Sequence, residues 1–293
     1  MNCRHGILLL DKDEGLTSNA ALQRAKRLMG SKKAGHTGTL DPFATGLLVL
    51  LFGEATKVSD YILNADKRYL ATLRLGEETR TGDREGEVVQ RAEVNVSDAQ
   101  IDAALAGFRG DIRQIPPMHS AIKQGGKPLY MLARQGVEVE RAPRSVRIHE
   151  LEVLSRRGND LVLDIRCSKG TYIRSLAQDL GRALGCGAHI AQLRRLETGP
   201  FGIDTALTLA QLEASLAAGD CPLQPMDLAL ATLPAVHLSE NSAYYLQRGQ
   251  GVVIAHAPPP GRIRLYGPKS EFLGLGEVMD DGKVAPRRLM GVN

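Results

Sequence analysis

The chain is poor in several features that would have assigned it early. It has only four cysteines, little net charge, and no apolar run long enough to cross a bilayer as a helix. The run Ile7-Leu8-Leu9-Leu10 is too short for the apolar core of a signal peptide. Cys3, Cys167, Cys186 and Cys221 show no paired spacing, which argues for a reducing, cytoplasmic home rather than a disulfide framework. Cys186 and His189 form a C-x-x-H with no second close pair, so core packing is expected of them and no metal site. There is no internal repeat and no long lysine-rich tail.

What is present suits a globular protein. Hydrophobic residues make up 43% and charged residues 24% of 293 residues, enough for a sizeable core and two domains. The net charge is only +4, but it is unevenly placed. Between Lys123 and Arg147, six basic residues (Lys123, Lys127, Arg134, Arg141, Arg144, Arg147) face two acidic ones (Glu138, Glu140). That local surplus equals the net of the whole chain and suits a polyanion such as a nucleic acid, although a solvated face has the same composition.

Patterning predicts alternating strands and helices. Residues 7–10, 47–52, 69–75, 146–154 and 161–167 read as strands, the last alternating at Leu161, Leu163, Ile165 and Cys167. Helices are predicted from Ser18 to Gly30, after the capping box Ser97/Gln100, after Thr171 as a cap, and after the capping box Thr208/Gln211. Pro116-Pro117 opens an irregular basic segment containing Gly125-Gly126. Residues 222–234 hold three prolines and read as a linker or wrap before a small β-rich tail.

One stretch concentrates the chemistry. In Gly35-His36-Thr37-Gly38-Thr39-Leu40-Asp41-Pro42-Phe43-Ala44-Thr45-Gly46, glycines and a proline surround a single carboxylate. Pro42 biases Asp41 toward an extended backbone, so the segment reads as a shaped loop aiming one acid. Asp66-Lys67-Arg68-Tyr69 places two cations beside an aromatic. Cys167-Ser168-Lys169-Gly170-Thr171-Tyr172-Ile173-Arg174 makes a strand-to-helix turn bearing Lys169, Tyr172 and Arg174. Aromatics beside cations suit RNA, whose unstacked bases lie on rings while phosphates meet Lys and Arg. Taken singly, Tyr69 reads more readily as a core strand residue and Arg174 as a surface helix residue, while Asp41 reads equally as a turn former.

Together these segments resemble the bacterial TruB-type tRNA pseudouridine synthases. The resemblance runs from GILLLDK at Gly6–Lys12 through GHTGTLDPFATG, DKRY, PPMHSAIK, CSKGTYIRSLAQDLG and GCGAHIAQLRRLETG to the tail GKVAPRRL at Gly282–Leu289. Thr39 and Phe43 depart mildly from the family pattern. The resemblance implies an α+β fold with a mixed, largely antiparallel sheet flanked by helices at about residues 1–230. A small β-barrel-like PUA domain is implied at 235–293. It implies isomerisation of uridine 55 in the TΨC loop of tRNA, without cofactor, metal or obligate protein partner, by a monomer. By position it makes Asp41 catalytic and His36, Tyr69, Tyr172, Arg174 and Leu193 substrate-binding. Lys67, Arg68, Lys123 and Lys169 are expected on the RNA backbone. Two other readings stay open at this point. One is an RNA-binding module or chaperone; the other is a glycosidase drawing a second carboxylate from Glu77, Glu78 or Asp83.

Overall fold

The structure is a computed structural model and describes residues 4–120 and 122–291. Its centre is a nine-stranded sheet. The strands follow the order Gly6–Lys12, Thr45–Phe52, Ala188–Thr198, Lys67–Leu75, Asp160–Cys167, Arg144–Arg157, Gly110–Gln114. Two short strands lie off this path. Ala34–Thr37 pairs with Thr45–Phe52, and Phe201–Gly202 pairs with Ala188–Thr198. Every pairing is antiparallel except one, where Arg194 and Arg195 run parallel to Thr45 and Gly46. The fold is α+β, with the largely antiparallel sheet that the resemblance implied.

The unbroken apolar run at 47–52 has a physical cause. Alternate side chains point to opposite faces of a strand, and both faces here are covered. Leu48, Leu50 and Phe52 pack with Ala21, Leu22 and Ala25 of the helix Ser18–Leu28 and with Leu212 of Leu209–Ala217. Leu47, Val49 and Leu51 pack with Ile7, Leu9, Ile62 and Phe201 on the other face. The strand Lys67–Leu75 alternates instead, burying Tyr69, Ala71 and Leu73 against the helix Ile173–Ala183.

Both predicted capping boxes form, Ser97 with Gln100 and Thr208 with Gln211. Thr171 does not cap its helix. Tyr172 occupies that position without a side-chain cap, and the Thr171 hydroxyl donates back to the Ser168 carbonyl at 2.9 Å. The reading of the cysteines holds for Cys167 and Cys186, which are free and buried. It does not hold for Cys221, which is disulfide-bonded. His189 places Nδ1 3.0 Å from the Glu77 carbonyl.

Residues 220–234 wrap back over the first strand, where Ile7 and Gln224 exchange backbone hydrogen bonds of 2.9 and 2.8 Å. A second, five-stranded sheet follows, in the order Ala235–His237, Gly261–Tyr266, Phe272–Val278, Lys283–Leu289, Val252–Val253. With the helix Glu240–Gln247 it encloses its own core of Val236, Leu246, Ile263 and Leu265. Val58, Leu230 and Leu275 join this unit to the first, and Lys57 Nζ donates to the Leu289 carbonyl at 2.8 Å.

One contact sets how closely the acidic loop approaches the sheet. Gly46 has φ +100°, and a Cβ there would lie 2.3 Å from the Arg195 carbonyl oxygen and 2.8 Å from its nitrogen. Both are backbone atoms of a paired strand and have no flexible end to yield. Gly46→Ala should therefore cost more than the ~1–3 kcal/mol of an unfavourable backbone conformation alone. Thermal unfolding should show a fall of several degrees, and an unchanged midpoint would contradict this close approach.

Candidate active site

Asp41 leaves the sheet where the strand Ala34–Thr37 ends and returns to it at Thr45. Three contacts fix the loop between. Leu40 exchanges two hydrogen bonds with the Ser18 hydroxyl, donating its N–H at 2.8 Å and accepting through its carbonyl at 3.0 Å. Thr17 takes the cap of the first helix by accepting from Ala20 N–H, which leaves Ser18 free for this task. The Pro42 carbonyl accepts from Gly15 N–H at 2.8 Å and from Lys12 Nζ at 3.2 Å. Lys12 also donates to the Asp13 and Leu16 carbonyls, and burial pulls it down to about 8.

Arg174 meets Asp41 as a fork, with Nε 3.0 Å from Oδ2 and Nη2 3.3 Å from Oδ1. The same guanidinium lies 3.5 Å from Asp83 Oδ2 and donates to the carbonyls of Thr81 at 3.3 Å and His119 at 2.7 Å. Arg174 and Asp83 are buried, whereas the Asp41 side chain keeps 32% of its surface open. Burial pushes the Asp41 carboxyl above its ordinary value; Arg174 opposes this as the second-largest influence, and the Asp83 carboxylate adds to the rise. One cation facing two carboxylates cannot fully offset the desolvation of the exposed one.

Tyr69 and Leu193 reach the site from neighbouring strands. Leu193 pairs with Ala71, and Tyr69 with Arg195, so alternation turns Tyr69, Leu193 and Arg195 onto one face. Tyr69 is buried and neutral, its hydroxyl pushed up by burial. The His36 ring is held below its usual value by burial and then by Arg195, so it is neutral at pH 7. Its buried Nδ1 has no hydrogen-bond partner among the described residues. The Gln114 side chain clamps Tyr172 at the start of the Arg174 helix. It accepts from Tyr172 N–H at 3.0 Å and donates to the Tyr172 carbonyl at 3.3 Å.

The expected backbone contacts fare differently. Lys67 is buried, and its ammonium donates to the carbonyls of Ile62, Leu63 and Ala65. Its three protons are used inside the protein, so it is withdrawn as a phosphate contact. Arg68 is withdrawn as well, because it forks onto Asp164 at 2.9 and 2.8 Å and meets Glu197 at 3.2 Å. Lys169 is exposed and donates to the Asn64 amide oxygen at 2.8 Å. The side chains of Lys123 and Arg134 lie outside the described residues. Lys127, Arg144 and Arg147 in the same segment are exposed.

Sequence reasoning missed the working parts of Asp83, Gln114, Ser18 and Arg195. Asp83 was weighed only as a spare carboxylate, since nothing local tells that it will face the arginine of a distant helix. Of the other spare carboxylates, Glu78 pairs with Arg182 and Glu77 with Arg91. Arg194 and Arg195 are adjacent, so alternation says that one turns inward but not which. Arg194 pairs with Asp11 at 2.6 Å near the surface, and Arg195 is 1% exposed. Among the described residues no group of three His, Cys, Asp or Glu is placed to hold a metal ion.

Comparison with known proteins accords with this geometry. Residues 26–173 match the TruB family pseudouridylate synthase (N terminal domain). Residues 174–231 match the tRNA pseudouridylate synthase B C-terminal domain, and residues 234–290 the pseudouridine synthase II TruB C-terminal domain. The tRNA pseudouridine synthase B of Stutzerimonas stutzeri (strain A1501) is 53% identical over 290 residues, covering 97% of this chain and 95% of that protein. That of Aeromonas salmonicida (strain A449) is 49% identical over 298 residues, covering 98% and 93%. Among solved structures, an H/ACA RNP bound to a substrate RNA containing 2'-deoxyuridine superposes with a TM-score of 0.74 at 27% identity, covering 98% of this chain and 85% of that one. A Cbf5-Nop10-Gar1 complex also gives 0.74, at 28% identity and 100% and 85% coverage. With matches running over nearly its whole length, the chain belongs to the TruB family of pseudouridine synthases.

Proposed function

We propose that this enzyme isomerises uridine 55 in the TΨC loop of tRNA, with Asp41 as the nucleophile, acting as a monomer in the cytoplasm without a cofactor or an obligate protein partner. The observation that carries the reading is the Arg174 fork on Asp41, which fixes a partly open carboxylate near enough to the buried Tyr69 phenol for its charge to act on it. Isomerisation breaks the bond from ribose C1′ to uracil N1, turns the base, and joins C1′ to C5. The proton on C5 leaves and N1 gains one, so no redox partner is needed. Attack by Asp41 at C1′ or at uracil C6 makes the same demand, an ionised oxygen held at the base.

The remaining roles follow from chemistry. A base held inside folded tRNA must be flipped out to be reached. Tyr69 gives it a ring to stack on, Leu193 an apolar wall, and His36 a polar contact. Tyr172 closes the pocket from the helix start. Such a lining keeps water from the detached uracil. Lys169 and the basic segment 123–147 are assigned to phosphates of the TΨC stem-loop. Each such contact should weaken binding with salt at a slope near ~0.9, so a tRNA affinity flat from low to high salt would remove that assignment.

Site-resolved mapping of pseudouridine on unmodified tRNA after reaction with the pure protein tests the whole proposal. Conversion at position 55 supports it, unchanged uridines reduce the protein to an RNA binder, and free uracil would reveal a glycosidase. The acidity of Asp41 gives a further expectation. Because its folded value lies above the usual one, the acid limb of kcat/KM should fall above the ~3.9 of a free aspartate. Asp83→Asn removes a charge that raises Asp41, and should move that limb to lower pH. A limb that stays in place would separate Asp83 from the acidity of Asp41.

A further inference from the structure

Arg195 is a cation in an expensive place. It is 1% exposed and forms no ion pair among the described residues, so its charge is met by neutral oxygens alone. Two more cations, Lys12 and Lys67, lie near enough for Arg195 to lower both. If this position served packing alone, an apolar side chain would do so without the desolvation of a charge. The geometry shows what the guanidinium does there.

The strand Thr45–Phe52 shares one edge between two partners. Arg194 and Arg195 pair with Thr45 and Gly46 at its start, and Ala34–Thr37 pairs with residues 49–52 further on. These partners diverge, and Leu47 lies in the gap between them. Arg195 fills it. Its Nε donates to the Leu47 carbonyl at 2.7 Å and its Nη2 to the Gly38 carbonyl at 3.0 Å. Gly38 has φ +83°, and a Cβ added there would stand 3.3 Å from Arg195 Nη1, so the loop lies directly on the guanidinium. Arg195 also stands directly across the strand pair from Tyr69, near enough for its charge to pull the Tyr69 hydroxyl back down against burial. Gly38 and Leu47 bracket the segment that carries Asp41.

We infer that Arg195 is a positioning residue for the isomerisation: its planar fork ties both ends of the Asp41 loop to the strand position that pairs with Tyr69. The acid and the stacking ring are thereby held at one separation. A lysine does not reproduce it, because the two carbonyls are met by different atoms of one planar group, Nε and Nη2, whereas an ammonium is a single point. This inference rests on the isomerase reading above, and concerns how the site is held rather than which reaction it performs.

The test compares single-turnover rates on tRNA for Arg195→Lys, Tyr69→Phe and the double variant, with tRNA affinity and thermal unfolding measured alongside. Arg195→Lys should bind tRNA within about threefold of wild type while its rate falls tenfold or more. Once Tyr69→Phe has removed the phenol, the same lysine change should cost at least fivefold less. A folded Arg195→Lys protein reacting within twofold of wild type would overturn the inference. So would an equal proportional loss in both backgrounds, which would assign Arg195 to general stability. A measurement on the wild-type protein needs no variant to fold: by nitrogen-detected NMR, the Arg195 Nε–H should exchange with water far more slowly than that of an exposed arginine such as Arg80. Exchange at the exposed rate would overturn the clasp directly. Wild-type protein that leaves tRNA uridines unmodified would defeat the isomerase reading instead, and the exchange measurement would still judge the clasp.

Discussion

Asp41→Asn should abolish pseudouridine formation while leaving tRNA affinity within a few-fold of wild type. The change removes a charge and almost no volume, and an amide is no nucleophile for this step. The site should survive it, because Arg174 keeps Asp83 and the carbonyls of Thr81 and His119. Stability should not fall either. An acid whose folded value is raised holds its proton more tightly when folded; that stabilisation is complete below the unfolded value and is lost as pH rises through the folded one. At neutral pH the ionised Asp41 is therefore a cost to the fold, tolerated for function. The asparagine protein should melt at or above the wild-type temperature. Measurable product from it, with deamidation excluded by mass spectrometry, would contradict the nucleophile assignment.

Tyr69→Leu should be nearly as damaging, by a different route. A leucine fills most of the buried volume but offers no π-face and no hydroxyl. Lost stacking alone is worth about 1–3 kcal/mol, or roughly 5- to 150-fold in rate. The loss should appear in single-turnover rate more than in tRNA affinity, because the proposed tRNA contacts of Lys169 and the basic segment are to phosphates. Tyr69→Ala should show the same rate loss and, in addition, a lower unfolding temperature from the cavity it opens. A leucine variant reacting at the wild-type rate would remove Tyr69 from the mechanism.

Much of the architecture was legible because its signals are local. The apolar run at 47–52, the alternation at 161–167 and the two capping boxes each report a preference set within a few residues, and each element formed. The cap at Thr171 misled for a local reason too. A hydroxyl next to a tight turn has more than one carbonyl or N–H within reach, and it took the Ser168 carbonyl. Lys67 and Arg68 look alike in sequence to free cations beside an aromatic. Whether a cation is free depends on the acceptors that other strands and turns bring to it, and both were already taken.

By itself, the sequence determined which elements form, which carboxylate the glycine-rich loop presents, and which family the chain resembles, because these depend on backbone preference and on residues in fixed order. Tertiary structure alone decided that Arg174 faces two carboxylates, that burial outweighs it in setting the acidity of Asp41, and that Arg195 rather than Arg194 turns inward. Those outcomes follow from groups far apart in the chain sharing one poorly hydrated space. Charge and desolvation act through that space and not along the chain.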